Sequence, residues 1–263
     1  MTVPSPRSDG RWGGALTGRA LPEDGELGAL PATTRTTLAK IWFTQAATEL
    51  RVARSFAIVH ESLAMLGADT GLVHTAERAI DDEHRHALLC LEVSRRYAGT
   101  SALPEVPELV HTHPRHPSAR DEHERRMLYV IGQCAFNETF ASAYLSLARE
   151  SAKTALARAA ISELLSDEID HARVGWAYLA TAPAPRRARL AAWAHALAVA
   201  NLREWRTLQL NRDRDLGAHG IPEAEAIEEA LLEALRGVII PGLATHGVSS
   251  RALESWAKTG APT

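Results

Sequence analysis

The sequence predicts an all-α protein, with a four-helix core over residues 33–181 and two or three further helices over 184–258. Three observations carry this. Apolar residues recur three, four and seven positions apart through long stretches, the period of helices with one face in a core. The pattern D-E-x-x-H occurs twice, at Asp82-Glu83-His84-Arg85-His86 and at Asp167-Glu168-Ile169-Asp170-His171, each with a lone glutamate upstream, Glu49 and Glu138. The midpoints of the two glutamate pairs, positions 66 and 153, fall at Gly67-Ala68-Asp69-Thr70-Gly71 and in Ser151-Ala152-Lys153-Thr154, both turn-like.

Taken in order, residues 1–31 are rich in Gly and Pro without helical period and read as an extended or disordered arm. Residues 32–263 then form one helical domain. Helices are expected at 33–66, 70–98, 119–150, 154–181, 184–213 and 222–238, with a short one at 249–258. Asp69 and Ser118 are the expected caps of the second and third, and Pro222 sits at the start of the sixth. The stretch 100–117 holds Pro104, Pro107, Pro114 and Pro117 and reads as a long crossover between two helical hairpins. Its His111, His113 and His116 read as exposed loop histidines, and Glu108-Leu109-Val110-His111 there has the letters of the motif without a helix to carry it.

Helix geometry ties the two motifs together. Glu49 shares its face with Trp42, Gln45, Val52, Ala53 and Phe56, and Glu83 with Ala79, Ile80, Ala87 and Cys90. Glu138 lies with Ile131, Cys134, Ala141 and Leu145, and Glu168 with Leu164, Leu165, Ala172 and Gly175. Each glutamate thus falls on an apolar stripe, and each histidine follows one turn on. Residues equidistant from a turn meet at the same height, so both pairs meet roughly 22–25 Å from their turns at 1.5 Å per residue. Four carboxylates and two imidazoles on four helices form the ligand set of a dinuclear metal site: Glu49, Glu83, His86, Glu138, Glu168 and His171. Two divalent cations would neutralise four buried carboxylates that otherwise cost several kcal/mol each. The oxygen-rich set suits iron or manganese. Asp82 and Asp167 are placed to accept the Nδ1 proton of a ligand histidine.

With these motifs, residues 33–181 resemble the ferritin-like di-iron carboxylate superfamily. The resemblance implies a ferritin-like bundle, Glu83 and Glu168 as bridging carboxylates, two iron ions (or Mn/Fe) as cofactor and O2 as co-substrate. It further implies oxidation of a small organic substrate by a non-haem di-iron oxygenase or oxidase fed by an external electron donor. Departures narrow it. Cys90 stands where ribonucleotide reductase small subunits carry a radical tyrosine, and Leu164 where arylamine N-oxygenases carry an extra histidine. Ser142, one turn after Glu138, matches the threonine of monooxygenase hydroxylases and would set a hydroxyl near bound oxygen. A ferritin- or rubrerythrin-like ferroxidase or peroxidase is the alternative, and a helical module with a structural metal site a second.

The net charge is −3 with no sustained basic cluster, which gives no sign of a nucleic-acid partner. No apolar run of about 18 residues suggests a membrane span. The two cysteines, Cys90 and Cys134, read as free thiols, and a cytoplasmic location is expected. Trp193, Trp205 and Trp256 in the C-terminal helices could line a pocket, pack in the core or support a homodimer.

Overall fold

The computed structural model describes residues 21–101, 116, 118–209 and 216–259. Among these the chain is helical without strands, apart from one antiparallel bridge between Leu216 and Ile221. Residues 1–20 of the expected arm, and His111, His113 and the Glu108–His111 pattern of the crossover, lie outside the described residues.

Helix α1 spans Ala32–Met65 and α2 spans Thr70–Ala98. Residues 66–69 join them, and Gly67 takes the left-handed conformation (φ 67°) that closes α1 cheaply. Asp69 caps α2 as expected, its Oδ1 accepting from the Gly71 N–H at 2.8 Å. Gly99, at φ 70°, ends it. The short connection makes α1 and α2 antiparallel neighbours along their length.

The third helix starts later than the sequence predicts. Ser118 does not cap it; Asp121 does, accepting from Glu124 N–H at 2.7 Å, while the Glu124 carboxylate accepts from Arg120 N–H at 2.6 Å. The Asp121 and Glu124 side chains together satisfy two backbone N–H groups of the entering turn, where Ser118 offers one. The helix then runs as α3 (Glu122–Val130), a π-helical segment (Ile131–Asn137) and α4 (Glu138–Ser151). Thr154 caps α5 (Ala155–Thr181). The turn between α4 and α5 is held by Ala218 O, which accepts from Lys153 N–H and Thr154 N–H at 2.8 and 3.1 Å.

These helices enclose one core. α1 packs on α2 and α3, α2 on α5, and α5 on both α4 and the π segment. Gly175 of α5 makes the last contact possible: a Cβ there would stand 2.3 Å from the Ala135 backbone nitrogen.

The C-terminal extension departs from the expected boundaries. Residues 184–209 divide into α6 (Ala184–Leu190) and α7 (Ala194–Gln209), because Ala192 and Trp193 bond back three residues rather than four. The sixth expected helix begins after Pro222, at α8 (Ala224–Ala234), and continues past 238 through a second π segment (Leu235–Ile239) into α9 (Ile240–Thr245). Pro241 lacks an N–H and would crowd the carbonyl four residues back, and the wider π turn directly precedes it. Helix α10 covers Arg251–Thr259. α7 packs on the π segment and α8 on α4, so the extension covers the third helix of the core.

Residues 21–31, expected within the arm, dock on the end of α2. Leu21 is buried, and Arg96 donates to the Leu21 and Pro22 carbonyls at 3.4 and 2.8 Å. Among the described residues no helix is long and apolar enough to cross a membrane.

Candidate metal centre

All six candidate ligands are buried, none more than 4% exposed. Their helices bring Glu49 from α1, Glu83 and His86 from α2, Glu138 from the start of α4, and Glu168 and His171 from α5. Glu49, Glu83, His86 and Glu168 form a cluster whose ligand atoms all lie within 4.8 Å of one another, close enough to hold a metal ion.

The other two candidates adjoin this cluster. His171 Nδ1 lies 3.1 Å from Glu83 Oε1 and 3.2 Å from Glu168 Oε2. His86 Nδ1 lies 3.3 Å from Glu83 Oε2 and 3.6 Å from Glu168 Oε1. Each of these carboxylates therefore faces both imidazoles, one through each oxygen. Glu138 lies beside Glu168, close enough for each carboxylate to feel the other's charge.

The outer nitrogens are served crosswise. His86 Nε2 is 3.0 Å from Asp167 Oδ2, and His171 Nε2 is 3.6 Å from Asp82 Oδ2. Sequence reasoning assigned the aspartates to Nδ1, which the structure corrects: Nδ1 points into the cluster, and Nε2 points to the aspartate of the other motif. A histidine three residues after its glutamate on one helix turns its nearer nitrogen, Nδ1, toward that glutamate. Nε2 is left to cross the interface between α2 and α5.

Arg85, Gln45 and Gln133 were given no role at the site by the sequence. Arg85, inside the first motif, donates from Nη2 to Asp82 Oδ1 at 3.1 Å and to Asp167, and from Nη1 to Glu163 Oε1 at 3.3 Å. One guanidinium thus holds both aspartates. Gln45 Nε2 donates to Glu49 Oε1 at 2.6 Å, and Gln133 Nε2 donates to Glu138 Oε1 at 2.5 Å. The glutamines sit four and five residues before their glutamates. Five-residue spacing shares a face only in a π helix, and Gln133 lies in that segment. A Gln upstream of each lone Glu was the available signal, and the unequal spacing hid it. Ser142 Oγ is buried on α4 and makes no hydrogen bond among the described residues.

Charge is distributed unevenly. Burial raises Glu49 well above the usual carboxylate range, helped by Glu83 and Glu168 and only partly offset by His86 and Gln45. Burial likewise raises Glu138, with Glu168 and Glu83 adding to it. Burial would raise Glu83 too, but the two imidazoles of His171 and His86 outweigh it and bring it down to about 2. Burial opposes the charge on His86, yet Asp167 and Glu83 lift it to about 10, and His171 is raised by Asp82, Glu168 and Glu83 against the same opposition. Asp82 falls to about 2 because His171 and Arg85 overcome its partial desolvation. The thiols of Cys90 and Cys134 are pushed up by burial, so both stay neutral.

The donor set fits metal ions. Glu83 Oε1 is buried with no conventional hydrogen bond, its neighbour being the inward His171 Nδ1 at 3.1 Å. An oxygen atom so placed loses its hydration without replacement unless a cation faces it. Carboxylates and imidazoles, with both thiols neutral, make a hard donor set. The metal's identity is not written in these distances. No family model, curated protein or solved structure matches the chain.

Proposed function

We propose that this chain is a non-haem di-iron oxidoreductase with a ferritin-like bundle core, oxidising a small organic substrate with O2 and re-reduced by an external donor. The observation that carries the reading is the sharing of Glu83 and Glu168 between two inward-facing imidazoles, at 3.1–3.6 Å, in an interior closed to water. A metal pair would be held by Glu83 and Glu168 together with Glu49 and His86 on one side and Glu138 and His171 on the other. A Mn/Fe pair suits the same donors. Bound there, a pair of redox-active ions supplies electrons for dioxygen reduction.

The chain's own residues orient and insulate that chemistry. Asp167 holds the His86 ring through Nε2, Asp82 stands 3.6 Å from His171 Nε2, and Arg85 keeps both aspartates ionised. Gln45 and Gln133 each occupy one carboxylate oxygen, leaving the other for a metal. Ser142 Oγ, buried one turn from Glu138, keeps an unused donor among the described residues.

The deep burial of all six side chains favours a second reading, a ferroxidase or peroxidase, because iron, O2 and peroxide need less access than an organic substrate. One experiment separates the two. Protein from iron-supplemented cells is analysed for metal, then reduced and mixed with oxygen alone and with candidate substrates. Two irons per chain and substrate-accelerated oxygen consumption support the oxygenase. Two irons with peroxide turnover indifferent to substrate move the assignment to the peroxidase. A chain that takes up no metal, and whose stability is unchanged when Glu49, Glu83, Glu138 and Glu168 are all replaced by Ala, sinks both.

A further inference from the structure

The two halves of the centre are alike in motif and unlike in support. Glu49 belongs to the compact four-ligand cluster and accepts one side-chain hydrogen bond, from Gln45. Glu138 stands just outside that cluster, and its Oε1 accepts two: from Gln133 at 2.5 Å and from Asn137 Nδ2 at 3.4 Å. Asn137 is in turn fixed from outside the four-helix core. Trp205 of α7 donates its indole N–H to Asn137 Oδ1 at 3.0 Å, and the Trp205 ring lies against Tyr144 with centroids 5.5 Å apart. An asparagine whose oxygen is held by an indole must turn its NH2 the other way, here toward Glu138. With Oε1 taken by Gln133 and Asn137, Oε2 is the oxygen of Glu138 that these donors leave for a metal.

We propose that Trp205 and Asn137 are positioning residues that aim Glu138, so that the C-terminal extension sets the affinity of the second metal position and not of the first. This rests on the di-metal reading above. Position one, built from Glu49, His86, Glu83 and Glu168, has its donors gathered and loads first. Position two depends on Glu138 at the junction of the π segment and α4, and its geometry is completed by a helix that contributes no ligand. The half-sites are therefore inequivalent, and a chain with a perturbed α7 holds one metal firmly and the other loosely.

The test is titration of the metal-free full chain with Mn(II), followed by calorimetry and by EPR, which distinguishes an isolated ion from a spin-coupled pair. Trp205→Phe keeps a ring against Tyr144 and removes only the N–H; Asn137→Ala removes the relay. Removing an outer partner of a metal ligand costs about 10–100-fold in affinity, expected in full for Asn137→Ala, with about tenfold for Trp205→Phe. In both variants the first affinity should stay within about twofold of wild type, and the EPR signal at two equivalents should shift from coupled pair to isolated ion. Gln45→Ala is the mirror control and should weaken the first position. Equal weakening of both positions in Trp205→Phe, or no weakening of either, overturns the proposal while leaving the di-metal reading intact. A wild-type chain that binds no Mn(II) overturns that reading and this one together.

Discussion

At the scale of single residues, the centre is decided by which atom of each side chain faces which neighbour. Asp167 is the clearest case, because its carboxylate meets both His86 Nε2 and the Arg85 guanidinium. Both contacts fall on Oδ2, and Asp167→Asn keeps the shape but replaces a charged acceptor with a neutral amide. We expect a 10–100-fold loss of metal affinity, the usual effect of removing a ligand's outer partner, measured by competition with a chromophoric chelator. An unchanged affinity would mean that His86 is oriented by packing alone. The six candidate residues that the structure brings together were legible in the sequence because helical period and turn position constrain them independently. The outer partners were less so. Arg85 is one more charge on a helix until α5 brings Asp167 and Glu163 to it. Which ring nitrogen faces the carboxylate cluster depends on a rotamer and on a neighbouring helix, neither of which a spacing argument reaches.

At the scale of elements, helix existence followed from the apolar period, while caps and interruptions depended on local bonding. Asp69 was readable as a cap; Asp121 was passed over for Ser118, although the D-x-x-E signature was present. Neither π segment has a pattern of its own, since one extra residue per turn leaves the flanking stripes intact and only rotates them. Asn137 and Trp205 were separated by 68 positions and joined by that rotation. Gly175 shows how tightly the π segment is seated. Gly175→Ala would place a Cβ 2.3 Å from Ala135 N and 2.9 Å from its Cα, backbone atoms that cannot swing aside. We expect a loss of about 1–3 kcal/mol or more in urea unfolding, the cost of overpacking a dense core. Wild-type stability in that variant would show that α5 and the π segment separate freely.

For the whole molecule, the shifted ionisations make stability depend on pH and metal together. Glu49 and Glu138 hold protons above the range where the unfolded chain releases them, so ionisation favours unfolding as pH rises past 4.5. The raised value of His86 contributes stability that is complete below 6.5 and lost as pH rises to about 10. The lowered Glu83 and Asp82 contribute stability that is present above 4.5 and 3.8 and lost as pH falls to about 2. The metal-free chain should therefore be most stable in mild acid, with a melting temperature that falls from pH 6 to 9. Metal affinity should rise over that same interval, because bound ions replace those protons. Calorimetry in buffers of different ionisation enthalpy would count the protons released, and a pH-independent melting temperature would contradict the charge arrangement.

The crossed aspartates reach further than their effect on two imidazoles. Residue i of one motif serves residue j of the other, and residue i of the other serves residue j of the first, which is the contact rule of two subunits about a two-fold axis. The chain thus relates its two hairpins as partners in an isologous pair, fused end to end. Neither hairpin carries a finished half: a hairpin alone has the aspartate it offers and lacks the one it needs. Completion of the centre is consequently a report on assembly, since His86 and His171 acquire their outer partners only when the first and second hairpins of the chain have met in register.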